Sequence, residues 1–151
     1  FISGMPNGKG MLEYRIGTSY IGEWLNGEFN GEGVIKNPDG SSIDGNWRRN
    51  ILDGYGIIIL PDIGTLKGNW SEGIFYNEVR IQYKDGTEYT GLINQGKYNG
   101  QGQFIYSDGT YYDGIWEEGM QHGKGKMVFP DKKELNGIWD NGKFIGSDRN
   151  Y

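Results

Sequence analysis

Five aspartates recur at a constant interval of 23 residues, and clustered carboxylates bind Ca²⁺ or transfer protons in many proteins. If each aspartate belongs to one unit of two adjacent β-strands, successive carboxylates lie ~10 Å apart. A Ca²⁺ site needs several oxygens at ~2.3–2.6 Å from the ion, so this spacing argues against a metal site. We predict instead that each side chain hydrogen-bonds the backbone of its own turn. The five are Asp39, Asp62, Asp85, Asp108 and Asp131.

The single histidine, His122, and the absence of cysteine leave little material for catalysis. Zinc sites and catalytic triads need convergent partners, and none is evident for His122, so we predict a structural role. The G-x-G segments at Gly31 and Gly100 precede no helical pattern, and no Gly-Lys-Ser or Gly-Lys-Thr sequence occurs, which argues against a phosphate-binding loop. We predict a protein that is not an enzyme and has no metal or cofactor.

The charge balance bears on the class of partner. Lysine and arginine number 15 and aspartate and glutamate 20, which gives a net charge of −5. Nucleic-acid binding relies on Lys and Arg against phosphates, so we predict no nucleic-acid partner. Attraction to anionic lipid needs clustered basic residues, so membrane lipid remains an alternative that the charge disfavours. No apolar run approaches ~18 residues, and the lack of cysteine fits a cytoplasmic setting.

The aspartates belong to a 23-residue segment that repeats along the chain. Each copy has glycine two positions after its first residue, and tryptophan two positions later in all but one copy, where Ile93 takes that place. Of the 28 glycines, 27 fall into five columns of this lattice. A fixed period of this length indicates a repeat array in which each copy stacks on its neighbours. The copies open at Tyr20, Ile43, Leu66, Tyr89, Tyr112 and Leu135.

The pattern Y-x-G-x-W-x-x-G-x-x-x-G-x-G-x-x-x-x-x-x-G resembles the MORN repeat, and the resemblance covers the whole chain. We interpret residues 1–151 as a single array, with partial copies over 1–19 and 135–151 and full copies opening at residues 20, 43, 66, 89 and 112. Phe1 falls in the tryptophan column, so we expect the chain to be a piece of a longer protein.

A few positions depart from the pattern. Asn50 and Asn77 replace glycines, and asparagine adopts positive φ readily, so we expect little change there. Lys132 also replaces a glycine. Val79 does so in the third full copy, and since a β-branched residue cannot take positive φ cheaply, we expect its backbone to differ from the other copies.

Within a copy, apolar and polar residues alternate with a period of two, as expected for strands. In the first full copy the segment 26–31 is rich in glycine and asparagine and indicates a hairpin turn, and Pro38-Asp39-Gly40 leads into the next copy. We therefore predict an all-β fold: a single elongated, twisted antiparallel sheet of stacked hairpins, a MORN-repeat solenoid with little or no helix.

The glycines also predict a register. We expect Trp24 to lie opposite Gly33 and Gly22 opposite Ile35, so that each large side chain covers a glycine of the neighbouring strand. One face then carries a ladder of rings, most of which pack against one another. A single curved sheet cannot cover its own inner face, however, and exposed aromatic surfaces mark recognition sites.

The resemblance implies that this aromatic-lined trough holds a protein or peptide partner, as MORN arrays are taken to do. The alternative for any one ring is a purely structural role in the core. The predicted partner-binding residues are Tyr20, Trp24, Trp47, Trp70, Tyr89, Tyr112, Trp116 and Trp139.

The opposite face changes from polar to apolar halfway along the chain. The column that reads Glu23, Asn46 and Asn69 in the early copies becomes aliphatic in the later ones. We predict a contiguous apolar stripe that forms a homodimer contact, a larger assembly or a surface covered by further chain; the alternative is scattered surface aliphatics. The stripe comprises Leu92, Ile105, Ile115, Val128 and Ile138.

By resemblance, the function is that of a non-enzymatic scaffold or adaptor in a cytoskeletal, ciliary or membrane-adjacent assembly. Two alternatives stay open. One is a phospholipid-targeting module, since the family takes its name from membrane occupation and recognition. The other is an accessory repeat domain of a larger enzyme, because similar repeats accompany lipid kinases and lysine methyltransferases.

Overall fold

A computed structural model describes residues 4–148, which form 13 β-strands and no helix. The strands follow one another in the sheet in chain order and pair in antiparallel fashion, which confirms the predicted all-β hairpin fold. Within residues 4–148 no helix long and apolar enough to cross a membrane is present. The strands are β1 (Gly8–Glu13), β2 (Ser19–Leu25), β3 (Glu28–Lys36), β4 (Ser42–Arg48), β5 (Ile51–Leu60), β6 (Gly64–Ser71), β7 (Ile74–Tyr83), β8 (Glu88–Asn94), β9 (Lys97–Ile105), β10 (Tyr111–Glu117), β11 (Met120–Val128), β12 (Glu134–Asp140) and β13 (Lys143–Gly146).

Two compact units divide the chain, Phe1–Tyr76 and Asn77–Tyr151. The first contains β1 to β6 and the second contains β8 to β13, with the boundary inside β7. Phe1, on which the expected partial first copy depends, lies outside the described residues.

Each hairpin closes through a two-residue turn with positive φ at both positions. Asn26 and Gly27 have φ of 51° and 84°, values typical of the type I′ turn, whose twist matches that of the flanking strands. The turn predicted over residues 26–31 is therefore too long, because Glu28 already belongs to β3. The Gly27 amide donates to the Pro6 carbonyl at 3.0 Å. This bond ties the hairpin tip to the preceding copy.

Glycines pair with glycines, so the predicted register is wrong. Gly22 lies opposite Gly33 and Tyr20 opposite Ile35, while Trp24 lies opposite Phe29. The physical reason is a bulge: four residue steps of β3 face two steps of β2, and Gly31 within the bulge has a φ of 97°. The extra residues shift the strand by two positions relative to a regular ladder.

In three hairpins a tyrosine, and not the tryptophan, covers the glycine pair. A Cβ built on Gly33 would lie 2.5 Å from Cζ of Tyr20, and one built on Gly22 would lie 2.6 Å from its Oη. The Tyr20 side chain is fully buried, and its hydroxyl donates to the Glu23 carbonyl at 2.9 Å. The prediction that a bulky ring covers a glycine is thus correct here, but the ring is that of the tyrosine and not of the tryptophan. Tyr89 and Tyr112 lie in the same way over Gly102 and Gly125.

Three positions at which another residue replaces a glycine of the repeat show what the glycines provide. Asn50 and Asn77, each with φ of 65°, adopt positive φ as predicted. Val79 has no positive φ, and it pairs with Gly91 in the regular ladder, so the predicted backbone change at Val79 is wrong. Glycine in this column answers a need for space and not for conformation. The third full copy opens with Leu66 in place of a tyrosine.

Each unit builds its own aromatic core. In the first, Tyr20 stacks on Phe29 with ring centroids 3.7 Å apart and meets Trp47 edge-on at 6.1 Å. In the second, Tyr89 stacks on Tyr98 at 3.8 Å and meets Trp116 edge-on at 5.7 Å. Stacked and edge-on pairs of this kind stabilise by ~0.5–1.5 kcal/mol beyond the area they bury.

Candidate functional site

The recurring aspartates serve the turns between hairpins. Asp39 Oδ1 accepts the Ser41 amide at 2.8 Å, and these hydrogen bonds from Ser41 hold the pKa of Asp39 below its usual value of 3.8. Asp85, Asp108 and Asp131 accept the amide two residues on in the same way. The prediction of turn bonding is confirmed for these four. The prediction is wrong for Asp62. A backbone hydrogen bond from the Ile63 amide to the Leu60 carbonyl closes this turn, and the Asp62 carboxylate takes no part in it.

His122 lies between the carboxylates of Glu117 and Asp140 in the second unit. Its Nε2 is 3.1 Å from Glu117 Oε2, and its Nδ1 is 3.5 Å from Asp140 Oδ1. Over residues 4–148, no group of three or more His, Cys, Asp and Glu is arranged to hold a metal ion. The Glu117 contact connects β10 and β11, whereas the buried Nδ1 has no hydrogen-bond partner among the described residues. The structural role of His122 stays a prediction.

The predicted partner-binding rings all lie on one side of their strands, which we call the aromatic face. Six of them are buried by their neighbours in the sheet: Tyr20, Trp47, Tyr89, Tyr112, Trp116 and Trp139. Trp24 and Trp70 are half-buried. Most of the predicted partner-binding residues therefore belong to the core, and any contact with a partner falls to other side chains of the aromatic face.

Hydrogen bonds fix the indoles in that core. Trp47 Nε1 donates to the Gly33 carbonyl at 2.9 Å, and Trp116 and Trp139 make the equivalent bonds to Gly102 and Gly125 at 3.0 Å. Trp70 departs from this pattern, because its buried Nε1 has no partner in the described chain. These three indoles thus hold their copies to the preceding ones.

Sequence reasoning missed the column that stacks on the tyrosines. Phe29 and Tyr98 are the ring partners of Tyr20 and Tyr89, and Phe75 packs against Trp70 at 3.7 Å. Phe144 contacts Trp139 at 5.3 Å. The signal was available, because the positions are 23 or 46 residues apart, but the predicted turn at 26–31 removed Phe29 from the strand.

The second unit exposes a continuous set of rings above its core, which we call the upper aromatic surface. Phe104 is central to it, with Tyr106 at 4.7 Å, Tyr98 at 6.1 Å and Tyr83 at 6.5 Å between ring centroids. All four rings are half-buried. A cleft of about 460 Å³ adjoins them, lined by Tyr106, Ser107, Asp108, Thr110 and Met127.

Hydroxyl groups give this surface a polar component. The Tyr83 and Tyr98 hydroxyls hydrogen-bond each other, and Gln121 Nε2 donates to the Tyr106 hydroxyl at 3.0 Å. Burial raises the pKa of Tyr98 and of Tyr106, so both phenols keep their protons at neutral pH. Rings with an apolar body and a wet polar tip are suited to binding a protein segment.

The predicted apolar stripe on the opposite face, which we call the outer face, is not contiguous. Leu92, Ile115 and Ile138 share one row across the strands, where Gln101 and Lys124 separate them. The expectation of a single stripe is therefore wrong, and the reason is the register. Ile105 and Val128 lie in another row, on either side of Tyr111.

Two aliphatic residues of the first row have a local partner. Leu92 lies over the bulge glycine Gly100, with its Cδ1 3.0 Å from a Cβ built there, and Ile115 lies over Gly123 at 3.7 Å. In the first unit Glu23 and Asn46 occupy the same place over Gly31 and Gly54. At these four positions the side chain covers a bulge glycine, whether it is polar or apolar.

Comparison with known proteins supplies a family and a distant structural likeness. A family model described as MORN repeat matches residues 1–19, 20–42, 44–62, 89–111 and 112–133. A comparison with curated proteins finds no match. Among solved structures, the TCP domain of SAS-4 (dCPAP) of Drosophila melanogaster, in complex with a proline-rich motif of Ana2 (dSTIL), is 12% identical. The match covers 89% of this chain and 94% of that one with a TM-score of 0.45, and a likeness at this level carries no argument about binding.

Proposed function

Since the chain belongs to the MORN-repeat family, we propose that it is a non-enzymatic scaffold that binds a segment of a partner protein on its aromatic face. The setting that fits such a scaffold is a cytoplasmic assembly at the cytoskeleton, a cilium or a membrane. Residues 1–151 act in this proposal as one repeat array.

The observation that carries the proposal is the upper aromatic surface of the second unit. Four half-buried rings and an adjoining cleft stand above a core that already satisfies its own packing. Because Tyr89, Tyr112 and Trp116 are buried, their contribution is to hold this layer in place. The surface residues Tyr83, Tyr98, Phe104 and Tyr106 then make the contact.

The chemistry of the surface defines the partner's side of the contact. Apolar side chains of the partner pack on the Phe104 and Tyr106 rings, and its backbone groups hydrogen-bond the tyrosine hydroxyls. Such contacts are enriched at protein interfaces because one end of a tyrosine is apolar and the other is wet. The net charge of −5 disfavours the anionic lipid alternative.

Site-specific photocrosslinking tests this function. The full-length protein carrying benzoylphenylalanine in place of Tyr106 is irradiated in cells, and the captured partner is mapped by mass spectrometry. The matched control replaces Tyr111, which neighbours Tyr106 in the chain but lies on the outer face. We expect position 106 to capture one contiguous partner segment and position 111 not to capture it.

Equal capture at both positions would contradict a specific contact on the aromatic face. A sedimentation assay with phosphoinositide liposomes separates the lipid alternative. Salt-sensitive co-sedimentation of the wild-type protein, combined with no protein crosslink at position 106, would replace the scaffold proposal with lipid targeting.

A further inference from the structure

A groove of about 590 Å³ runs across β1 to β4 on the outer face of the first unit. Its floor is backbone, because Gly10, Gly22 and Gly33 lie side by side on successive strands. The row of side chains on either side of these glycines forms a wall. The two walls differ in chemistry.

One wall is apolar and open to solvent. Met11 lies opposite Ile21, and Ile21 lies opposite Val34. Met11 is 61% exposed and Ile21 is 47% exposed, although both are large apolar side chains. Asp44 lies opposite Val34 and ends the wall with a carboxylate.

The other wall is acidic. Glu23 and Glu32 occupy it, with Lys9 opposite Glu23. Among the described residues, neither of these glutamates nor Asp44 forms an ion pair. Three carboxylates therefore surround an apolar strip with one amine at its end.

The groove is particular to the first unit and is not a general property of the repeat. In the second unit, 69 residues or three repeats further along the chain, the positions equivalent to Met11, Ile21 and Val34 are polar. There Asp113, the equivalent of Asp44, accepts a hydrogen bond from Gln101 Nε2 at 2.8 Å. The second unit thus provides an internal comparison in which the apolar wall is missing and the carboxylate is occupied. The three replacements are Arg80, Thr90 and Gln103.

We propose that this groove binds an extended segment of a partner protein in which lysine or arginine alternates with aliphatic residues. The methylene stem of the basic side chain packs on Ile21 and Val34, since long basic side chains cover apolar surface with their stems. Its charged end reaches the carboxylates of Glu32 and Asp44, where charge-assisted hydrogen bonds form. The site lies in the first unit and shares no residue with the upper aromatic surface of the second unit, so it does not depend on the proposed function.

A synthetic peptide tests this site directly. The probe is fluorescein-labelled Gly-Lys-Val-Lys-Val-Lys-Gly, capped at both ends, and binding to the full chain is followed by fluorescence anisotropy at neutral pH and low salt. We expect saturable binding that is lost when norleucine replaces the three lysines. The double variant Glu32→Gln with Asp44→Asn should bind about tenfold more weakly, or about threefold for each carboxylate removed. Asp113→Asn, the equivalent change in the second unit, should leave binding unchanged.

Methyl and indole NMR signals locate the peptide. We expect shifts at the Ile21 and Val34 methyls and none at the tryptophan indoles of the aromatic face. No saturable binding at millimolar peptide, undiminished binding by the double variant, or shifts confined to the indoles would each overturn the proposal. The exposed positions of Glu32 and Asp44 keep the variants folded, which circular dichroism verifies. None of these results changes the crosslink expected at position 106.

Discussion

The β2–β3 and β4–β5 hairpins fill the same space with different side chains. In β2–β3 the Tyr20 ring lies over Gly22 and Gly33, and its hydroxyl bonds the Glu23 carbonyl. In β4–β5 the equivalent first residue is Ile43, and Leu52 from the other strand covers the pair Gly45 and Gly56. The backbone lattice is therefore constant, while the group that occupies it is not.

The difference teaches what the glycines are for. Beneath Tyr20 a Cβ on Gly33 meets a rigid ring at 2.5 Å from Cζ, whereas a Cβ on Gly56 meets the flexible Leu52 side chain at 3.0 Å and the Trp70 indole at 3.2 Å. Gly33 is thus more strictly required than Gly56. The third copy agrees, since it carries Leu66 and Val79 at the tyrosine and glycine positions.

The largest expected effect is that of Gly33→Val. Overpacking against a fixed ring should cost about 3 kcal/mol of unfolding free energy. Gly56→Val should cost less, about 2 kcal/mol, because Leu52 can change rotamer while the Trp70 indole, 3.2 Å from the added Cβ, stays in place. Urea unfolding followed by tryptophan fluorescence measures both. Equal losses in the two variants would break the comparison.

The double variant Tyr20→Leu with Gly33→Val sharpens the same comparison. It reproduces in the first copy the residue pair of the third copy. Since removal of the ring opens space for the valine, we expect the double variant to be more stable than Gly33→Val alone. Strict additivity of the two single losses would show that the ring and the glycine are not coupled.

A smaller effect is expected from the hydroxyl that only the tyrosine hairpins have. Tyr20→Phe removes the bond to the Glu23 carbonyl and should cost about 1 kcal/mol, whereas Tyr14→Phe, at an exposed tyrosine, should cost nothing measurable. Thermal unfolding at neutral pH compares the two variants. A matching loss in both would assign the effect to something other than the buried bond.

The same hydroxyl also predicts a pH dependence. Burial raises the pKa of Tyr20 above its usual 10.0, so the unfolded chain releases this proton at lower pH than the folded one. Stability from the protonated phenol is present below pH 10.0 and is lost as the pH rises through the raised pKa. The advantage of the wild-type protein over Tyr20→Phe should therefore shrink in alkaline solution. An advantage that grew above pH 10.0 would contradict this sign.

Period and residue type were sufficient to predict strands, hairpins and the chain-order sheet, because a 23-residue lattice of glycines and rings admits few other structures. They did not predict the register. The bulge at Gly31 adds two residues to β3, and its sequence cannot be told from that of a turn. That error moved Phe29 out of the strand and hid its stack on Tyr20. It also merged Ile105 with Leu92 into one stripe, although these residues lie in different rows.

The burial of the predicted rings follows from geometry that sequence does not contain. Columns identify which side chains share a face, but the depth of each ring depends on which neighbour overlaps it. Trp116 and Trp24 belong to one column, yet the first is buried and the second is half-buried. Among the described residues Trp116 contacts the rings of Tyr89, Tyr98, Phe104 and Tyr112, whereas Trp24 contacts those of Tyr20 and Phe29.

The smallest expected effect lies in the turns that follow the two compared hairpins. Asp39 accepts hydrogen bonds from the Ser41 amide and, at 2.6 Å, from its hydroxyl, whereas Asp62 takes the equivalent turn position without such bonds. We expect Asp39→Ala to lower the melting temperature slightly at neutral pH and Asp62→Ala to leave it unchanged. Because these hydrogen bonds hold the pKa of Asp39 below 3.8, their stabilisation is present above that pH and is lost as the pH falls through the lowered pKa. The wild type and Asp39→Ala should therefore converge in acid, and a gap that persisted in strong acid would mean that the carboxylate does not act through its charge.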